Sequence, residues 1–112
     1  MNNKDIYLDL LRKLELNPEY TQRELSKEMG ISLGKVNYCI KKLVEKGWVK
    51  LTNFSNNPNK VGYVYLLTAK GIEEKTRLTY TFLKIKTEEY EILKEEISLL
   101  KKDTEQLKSE RK

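Results

Sequence analysis

Apolar positions in the first stretch of the chain, Ile6, Tyr7, Leu10, Leu11 and Leu14, follow the three-and-four spacing that puts one stripe of a helix against a core. Asn3 is placed to cap that helix. Asn17-Pro18 ends it, because the residue before a proline is pushed out of the α region. Thr21-Gln22-Arg23-Glu24 has the form of a capping box, with Tyr20 and Leu25 in hydrophobic-staple positions around it. The second helix is short, from Gln22 to Met29, and Gly30 suits a left-handed terminating residue. Ser32 then caps a third helix that runs to Lys46 and closes on Gly47.

At Trp48 the period changes. Val49 and Leu51 alternate with Lys50 and Thr52 as in a half-buried strand, and Tyr63 to Leu67 forms a second β-rich run. The turn-forming stretch from Asn53 to Lys60 lies between them, so the two runs are expected to pair as a hairpin with a long tip. Thr68 caps a fourth helix, and from Ala69 onward there is no proline and only Gly71 to weaken it. Carried to Lys108, such a helix is about 60 Å long at the usual rise.

The predicted fold is therefore mainly α with a small β-hairpin: a winged helix-turn-helix over residues 1–68, followed by a long C-terminal coiled-coil helix over 69–112. Its most specific local mark is Met29-Gly30-Ile31-Ser32, where two helices must cross steeply on one glycine and one inward apolar residue. Val36, Ile40 and Leu43 then point inward. The opposite face of the third helix carries Gly34, Asn37, Tyr38 and Lys41, flanked by Lys35 and Lys42.

Charge sharpens the picture. The chain has 112 residues and a formal net charge of +5, from 22 basic and 17 acidic side chains. Between residues 32 and 60 stand Lys35, Lys41, Lys42, Lys46, Lys50 and Lys60 against Glu45 alone, so any electrostatic docking face lies there. A lysine-bearing helix face of this kind suits a DNA major groove. Lysines neutralise phosphates, Asn37 is able to pair bidentately with adenine, Tyr38 reaches bases, and Gly34 leaves the helix end free to approach them. Ser32 and the first-turn amides form an anion-binding helix start. At the hairpin tip, Asn59 and Lys60 are expected near the adjacent backbone. The expected partner is double-stranded DNA.

In sequence, Ile31 to Val49 resembles the recognition helix and first strand of MarR-type regulators, and Leu67-Thr68-Ala69-Lys70-Gly71 is similar to their strand-to-helix "LTxxG". The resemblance extends over roughly residues 5 to 95. Within that family it points to the small branch of exopolysaccharide (EPS)-associated transcriptional regulators. It implies a dimeric, DNA-binding bacterial transcription factor acting on exopolysaccharide or surface polysaccharide genes. The sequence departs from the family pattern in two places. It opens directly on the first helix, and it has Asn57-Pro58-Asn59-Lys60 where many members carry Asp-x-Arg in the wing.

The last third carries a second pattern. Leu83, Lys86, Tyr90, Leu93, Ile97, Leu100, Thr104 and Leu107 alternate three and four residues apart, a heptad seam. With Leu83 at a, the g positions are Glu89, Glu96 and Asp103, and the following e positions are Lys94, Lys101 and Lys108. In a parallel pair each acid meets a lysine of the other chain five residues on, whereas antiparallel pairing brings acid to acid. A parallel homodimer is therefore expected, with Leu83, Tyr90, Leu93, Ile97, Leu100 and Leu107 at its interface. A further stripe, Leu78, Ile85, Ile92 and Leu99, falls at c positions outside that seam.

Other functions lose ground on composition. Without histidine the chain has no imidazole base, no Cys/His zinc site and no Ser-His-Asp triad, so no enzyme, metal or cofactor is expected. The single cysteine, Cys39, permits no internal disulfide and is placed as a small core residue. No apolar run approaches the ~20 residues of a bilayer span, and the first residues are not those of an export signal, so a cytoplasmic location is expected. The rival function is a protein-interaction module that keeps the winged fold and works through its coiled coil without specific DNA binding.

Overall fold

The computed structural model describes residues 2–53 and 64–110. Its elements are α1 (Asn3–Leu16), α2 (Gln22–Met29), α3 (Leu33–Glu45), β1 (Val49–Thr52), β2 (Val64–Leu67) and α4 (Ala69–Glu110). The chain divides into two compact units, residues 1–79 and 80–112. The expected hairpin-tip residues Asn59 and Lys60, and Tyr63 at the start of the second β run, lie outside the described residues.

Local chemistry sets the ends of the first three helices. Asn2 rather than Asn3 caps α1. Its side chain accepts from the backbone N–H of Asp5 at 2.9 Å, and the Asp5 carboxylate reaches back to the Asn2 N–H at 3.2 Å. Register explains the shift: only from Asn2 does an acid stand three residues on. At α2 the expected box forms in full, with Thr21 Oγ accepting from the Glu24 N–H and Glu24 accepting from the Thr21 N–H. Gly30 ends α2 at φ 66°, ψ 32°, a conformation that costs an L side chain ~1–2 kcal/mol. Ser26, one turn earlier, fastens the tight turn. Its hydroxyl donates to the Ile31 carbonyl, and its own carbonyl accepts from the N–H groups of Gly30 and Ile31. Ser32 Oγ accepts from the Lys35 N–H at 3.1 Å and starts α3. That helix ends as the N–H of Trp48 donates to the Leu43 carbonyl and that of Gly47 to the Val44 carbonyl.

The core of the first unit is where these helices meet. Ile6, Leu10, Leu11 and Leu14 of α1, Leu25 of α2, and Val36, Cys39, Ile40 and Leu43 of α3 are all essentially inaccessible to solvent. Ion pairs lie along its rim, Lys13 to Glu28 at 3.8 Å and Lys75 to Glu15 at 3.0 Å. Tyr7 and Trp48 meet edge to face, with ring centroids 6.5 Å apart.

β1 and β2 pair antiparallel in the register Val49 to Leu67 and Leu51 to Tyr65. The alternation expected of β1 holds only at its start. Val49 is buried, but Leu51 is 43% exposed, because the two-stranded hairpin runs past the edge of the core and Leu51 borders an open groove instead of packed side chains. Thr68 turns the chain into α4: its N–H donates to the Trp48 carbonyl at 3.0 Å, its hydroxyl donates to the Gly47 carbonyl, and Gly71 N–H donates to its oxygen at 3.0 Å. Gly71 and Leu78 are buried, so the first part of α4 packs as part of the first unit, and the unit boundary falls at 79/80.

The second unit, residues 80–112, is helical as far as Glu110. Within the chain Leu83, Tyr90, Leu93, Ile97, Leu100 and Leu107 all face solvent, as do Ile85, Ile92 and Leu99. The polar members of the seam have local partners. Thr104 donates its hydroxyl to the Leu100 carbonyl at 2.9 Å, and Lys86 pairs with Glu89 at 3.2 Å.

Candidate nucleic-acid interface

α3 turns its buried stripe inward, which leaves three outer rows defined by the 100° step of the helix. Gly34, Tyr38 and Lys41 are exposed on the outermost row. Nothing lies within 4 Å of a Cβ built on Gly34, so the start of the helix presents bare backbone. Tyr38 is 48% exposed.

Lys35 and Lys42 form the row nearest α1, and both are engaged. The Lys35 ammonium donates to Asn3 Oδ1 at 2.7 Å and stands 5.5 Å from the Tyr38 ring centroid. The Lys42 ammonium lies 5.6 Å from the same ring centroid and donates to Glu45 Oε2 at 3.3 Å. The Glu45 hydrogen bond, followed by the Glu45 charge, raises the Lys42 pKa above its ordinary value and holds it cationic. Two ammonium groups thus stand within cation–π distance of one exposed aromatic ring.

Asn37 lies in the third row, on the hairpin side, together with Val44. A groove of about 420 Å³ opens there, with Asn37, Ile40, Lys41, Val44 and Glu45 along α3 and Gln22, Leu51 and Tyr65 opposite. Gln22, the first residue of α2, donates its side-chain N–H to the Tyr65 hydroxyl at 3.1 Å, and the Tyr65 backbone N–H donates to the Pro18 carbonyl at 3.2 Å. Sequence reasoning names Asn37 and Lys41, and weighs Tyr65 as a base-stacking or cavity-lining residue before assigning it to hairpin packing. Val44 is legible as seven residues on from Asn37 along one face, whereas nothing in the sequence joins Gln22 to Tyr65, 43 positions away.

The structure thus brings Gly34, Lys35, Asn37, Tyr38, Lys41 and Lys42 onto one surface, with Ser32 at its N-terminal end. Ser32 Oγ accepts at the cap with one of its two lone pairs, and its hydroxyl hydrogen meets no acceptor among the described residues. Cys39 is fully buried behind this surface, and that burial pushes its thiol pKa up. Among the described residues no group of three or more His, Cys, Asp or Glu side chains converges on a metal-sized site, and no helix is long and apolar enough to cross a membrane.

Comparison with known proteins bears on the same segment. Over 58 residues the chain is 40% identical to the HTH-type transcriptional regulator Ptr1 of Methanocaldococcus jannaschii, covering 52% of this chain and 39% of that protein. The chain thus spans about two-fifths of the length of the curated relative it matches. The family model described as winged helix-turn-helix DNA-binding matches residues 5–50, from α1 through α3 into β1. In sequence that segment is similar to winged helix-turn-helix DNA-binding domains, and the order α1, α2, α3, completed by the β1–β2 hairpin, is that of the same fold.

Proposed function

We propose that this chain is a sequence-specific regulator of transcription that binds double-stranded DNA as a homodimer, each α3 entering one major groove of a pseudo-palindromic site. The observation that carries the reading is the outer face of α3: an open backbone at Gly34, an exposed Tyr38 with two ammonium groups near its ring, and Lys41 and Asn37 beside them. Lys35, Lys41 and Lys42 hold phosphates, with Lys60 and Asn59 as hairpin partners, while Asn37 and Tyr38 contact base edges.

Dimerisation through the seam from Leu83 to Leu107 supplies the symmetry. Its apolar side chains are exposed in the single chain, and its g and e charges complement one another only in parallel. The local hydrogen bond of the Thr104 hydroxyl removes much of the cost of burying it in such a seam. The resemblance of residues 31–49 and 67–71 to MarR-type regulators supports the EPS-associated branch and a cytoplasmic role on exopolysaccharide or surface polysaccharide genes.

Selection of bound duplexes from a random pool tests the reading. The expected product is an inverted repeat with half-site centres about 34 Å, or a multiple of it, apart. Recovery of no common motif, with weak and sequence-indifferent binding, would instead leave a protein-interaction module.

A further inference from the structure

We propose that Gln22 and Tyr65 form a clamp for the DNA sugar-phosphate backbone, seated in the groove between α3 and the hairpin. This inference rests on the DNA-binding reading above and assigns a role to two residues outside the recognition helix.

Tyr65 is held on three sides. The residue is only 8% exposed, its backbone N–H is fixed to the Pro18 carbonyl, and its hydroxyl oxygen accepts from Gln22. A phenol that accepts one hydrogen bond still has its own hydrogen to give, and no acceptor among the described residues takes it. Gln22 likewise retains a second amide hydrogen. Two neutral donors are therefore ordered at one edge of the groove, with the Lys41 ammonium lining the same groove.

The rest of the lining is apolar Ile40, Val44 and Leu51, the last two exposed, and Glu45, whose carboxylate is paired with Lys42 at 3.3 Å. Cationic and neutral donors next to apolar walls match a phosphodiester next to deoxyribose: the phosphate oxygens accept, and the sugar covers Val44 and Leu51. A protein acid would satisfy the donors but leave the apolar walls wet. Because Asn37 lies in the same groove, the strand held there borders the bases that α3 meets. Prior ordering of Tyr65 lowers the entropy lost when the strand docks. A contact of this kind fixes the register of α3 without selecting sequence.

The test uses the full chain, a duplex recovered by selection, a scrambled duplex, and fluorescence anisotropy at two salt concentrations. Tyr65→Phe keeps the buried ring and removes only the hydroxyl. It is expected to weaken binding to both duplexes about tenfold or more, the loss typical of a hydrogen bond to a charged acceptor. Its salt dependence stays that of the parent, since no charge is removed, whereas Lys41→Ala flattens the slope. Gln22→Ala provides a second variant that leaves Tyr65 intact, with loss of the same sign, and Gln22→Glu weakens binding further by setting a carboxylate against the phosphate. Circular dichroism and thermal unfolding monitor the fold of each.

Unchanged affinity in both Tyr65→Phe and Gln22→Ala, with Lys41→Ala impaired, overturns the clamp and leaves the DNA reading standing; the groove then belongs to a small molecule or a protein segment. A loss confined to the selected duplex overturns the backbone assignment in favour of a base contact. If Lys41→Ala and Lys42→Ala together also bind as the parent does, DNA binding through this face is itself wrong.

Discussion

A Cβ built on Gly71 falls 2.0 Å from the carbonyl oxygen of Trp48 and 2.9 Å from its carbonyl carbon. The first turn of α4 is thus pressed against the backbone where α3 gives way to β1, and the same Trp48 carbonyl accepts from the Thr68 N–H. The glycine of Leu67-Thr68-Ala69-Lys70-Gly71 is there for close approach, since its helical conformation suits any residue.

Gly71→Ala is accordingly expected to destabilise the protein by about 3 kcal/mol, at the upper end of overpacking effects, because the obstacle is backbone that cannot rotate away. Gly34→Ala is the matched control. It adds a methyl group to open space in a helix and should leave stability unchanged or raise it by up to about 1 kcal/mol. Chemical denaturation of the two variants gives the comparison; equal stabilities would contradict the contact.

The caps that define α1 and α2 contribute locally. Thr21→Ala removes one half of a reciprocal pair and should cost about 1 kcal/mol, with Thr21→Ser recovering most of it. An unfolding midpoint unmoved by Thr21→Ala would mean that tertiary packing alone fixes the start of α2.

Such end signals were the most legible part of the sequence. Thr21 with Glu24, Gly30, Ser32 and Gly47 each act within four residues, so the boundaries of α2 and α3 follow from local chemistry. The inward stripe of α3 was equally plain, because its period is a property of one helix. Long-range pairings were not. The Gln22 contact with Tyr65 and the Asn3 contact with Lys35 join residues 43 and 32 positions apart, and neither residue type demands that partner. Leu51 shows the limit of alternation: period two tells which face a residue is on, but not how far the core extends beneath it.

Alkaline pH should weaken the fold. Burial raises the Cys39 pKa from its ordinary 9.0, and burial followed by the Cys39 charge raises that of Tyr7. The folded state therefore keeps these protons at a pH where the unfolded chain has released them. By linkage, stability is fully present below the unfolded pKa and is lost as pH rises toward the folded one. For Cys39 the loss begins near pH 9, and Cys39→Ala should flatten the fall just above it while lowering stability at neutral pH through the cavity it leaves. Equilibrium unfolding from pH 8 to 10.5 on both proteins is the measurement. A parallel slope in the variant would assign the effect to the tyrosines.

On DNA, the lysines and Asn37 should separate. Lys41→Ala with Lys42→Ala is expected to weaken binding to every sequence and reduce the slope of log affinity against log salt by up to about two contacts. Asn37→Ala removes no charge. It should keep the slope and instead relax preference at one base pair, by ~1–3 kcal/mol of discrimination. Competition assays with single-base variants of the selected site distinguish the two behaviours, and a variant Asn37 that retains full discrimination would remove it from the reading set.

The parallel coiled coil makes the strictest demand on the charge pattern. In that register Glu96 of one helix faces Lys101 of the other, twice per dimer by symmetry, with Glu89 to Lys94 and Asp103 to Lys108 on either side. Glu96→Lys converts both central attractions into repulsions. Exposed pairs of this kind are worth ~0.3–0.5 kcal/mol each, so reversing two of them should weaken dimerisation roughly tenfold. Lys101→Glu alone should do the same by bringing acid to acid. Combined in one chain, the two changes restore complementarity, and the dimer should recover to near its original strength. In an antiparallel pair spanning the whole seam, Glu96 faces its own symmetry mate and Lys101 faces Thr87, so Glu96→Lys only exchanges one like-charged pair for another, neither single change produces the tenfold loss, and the combined change restores nothing. Sedimentation equilibrium on the three variants therefore decides orientation as well as assembly. DNA affinity should follow the dimer through the series, since a monomer occupies one half-site and forfeits the second.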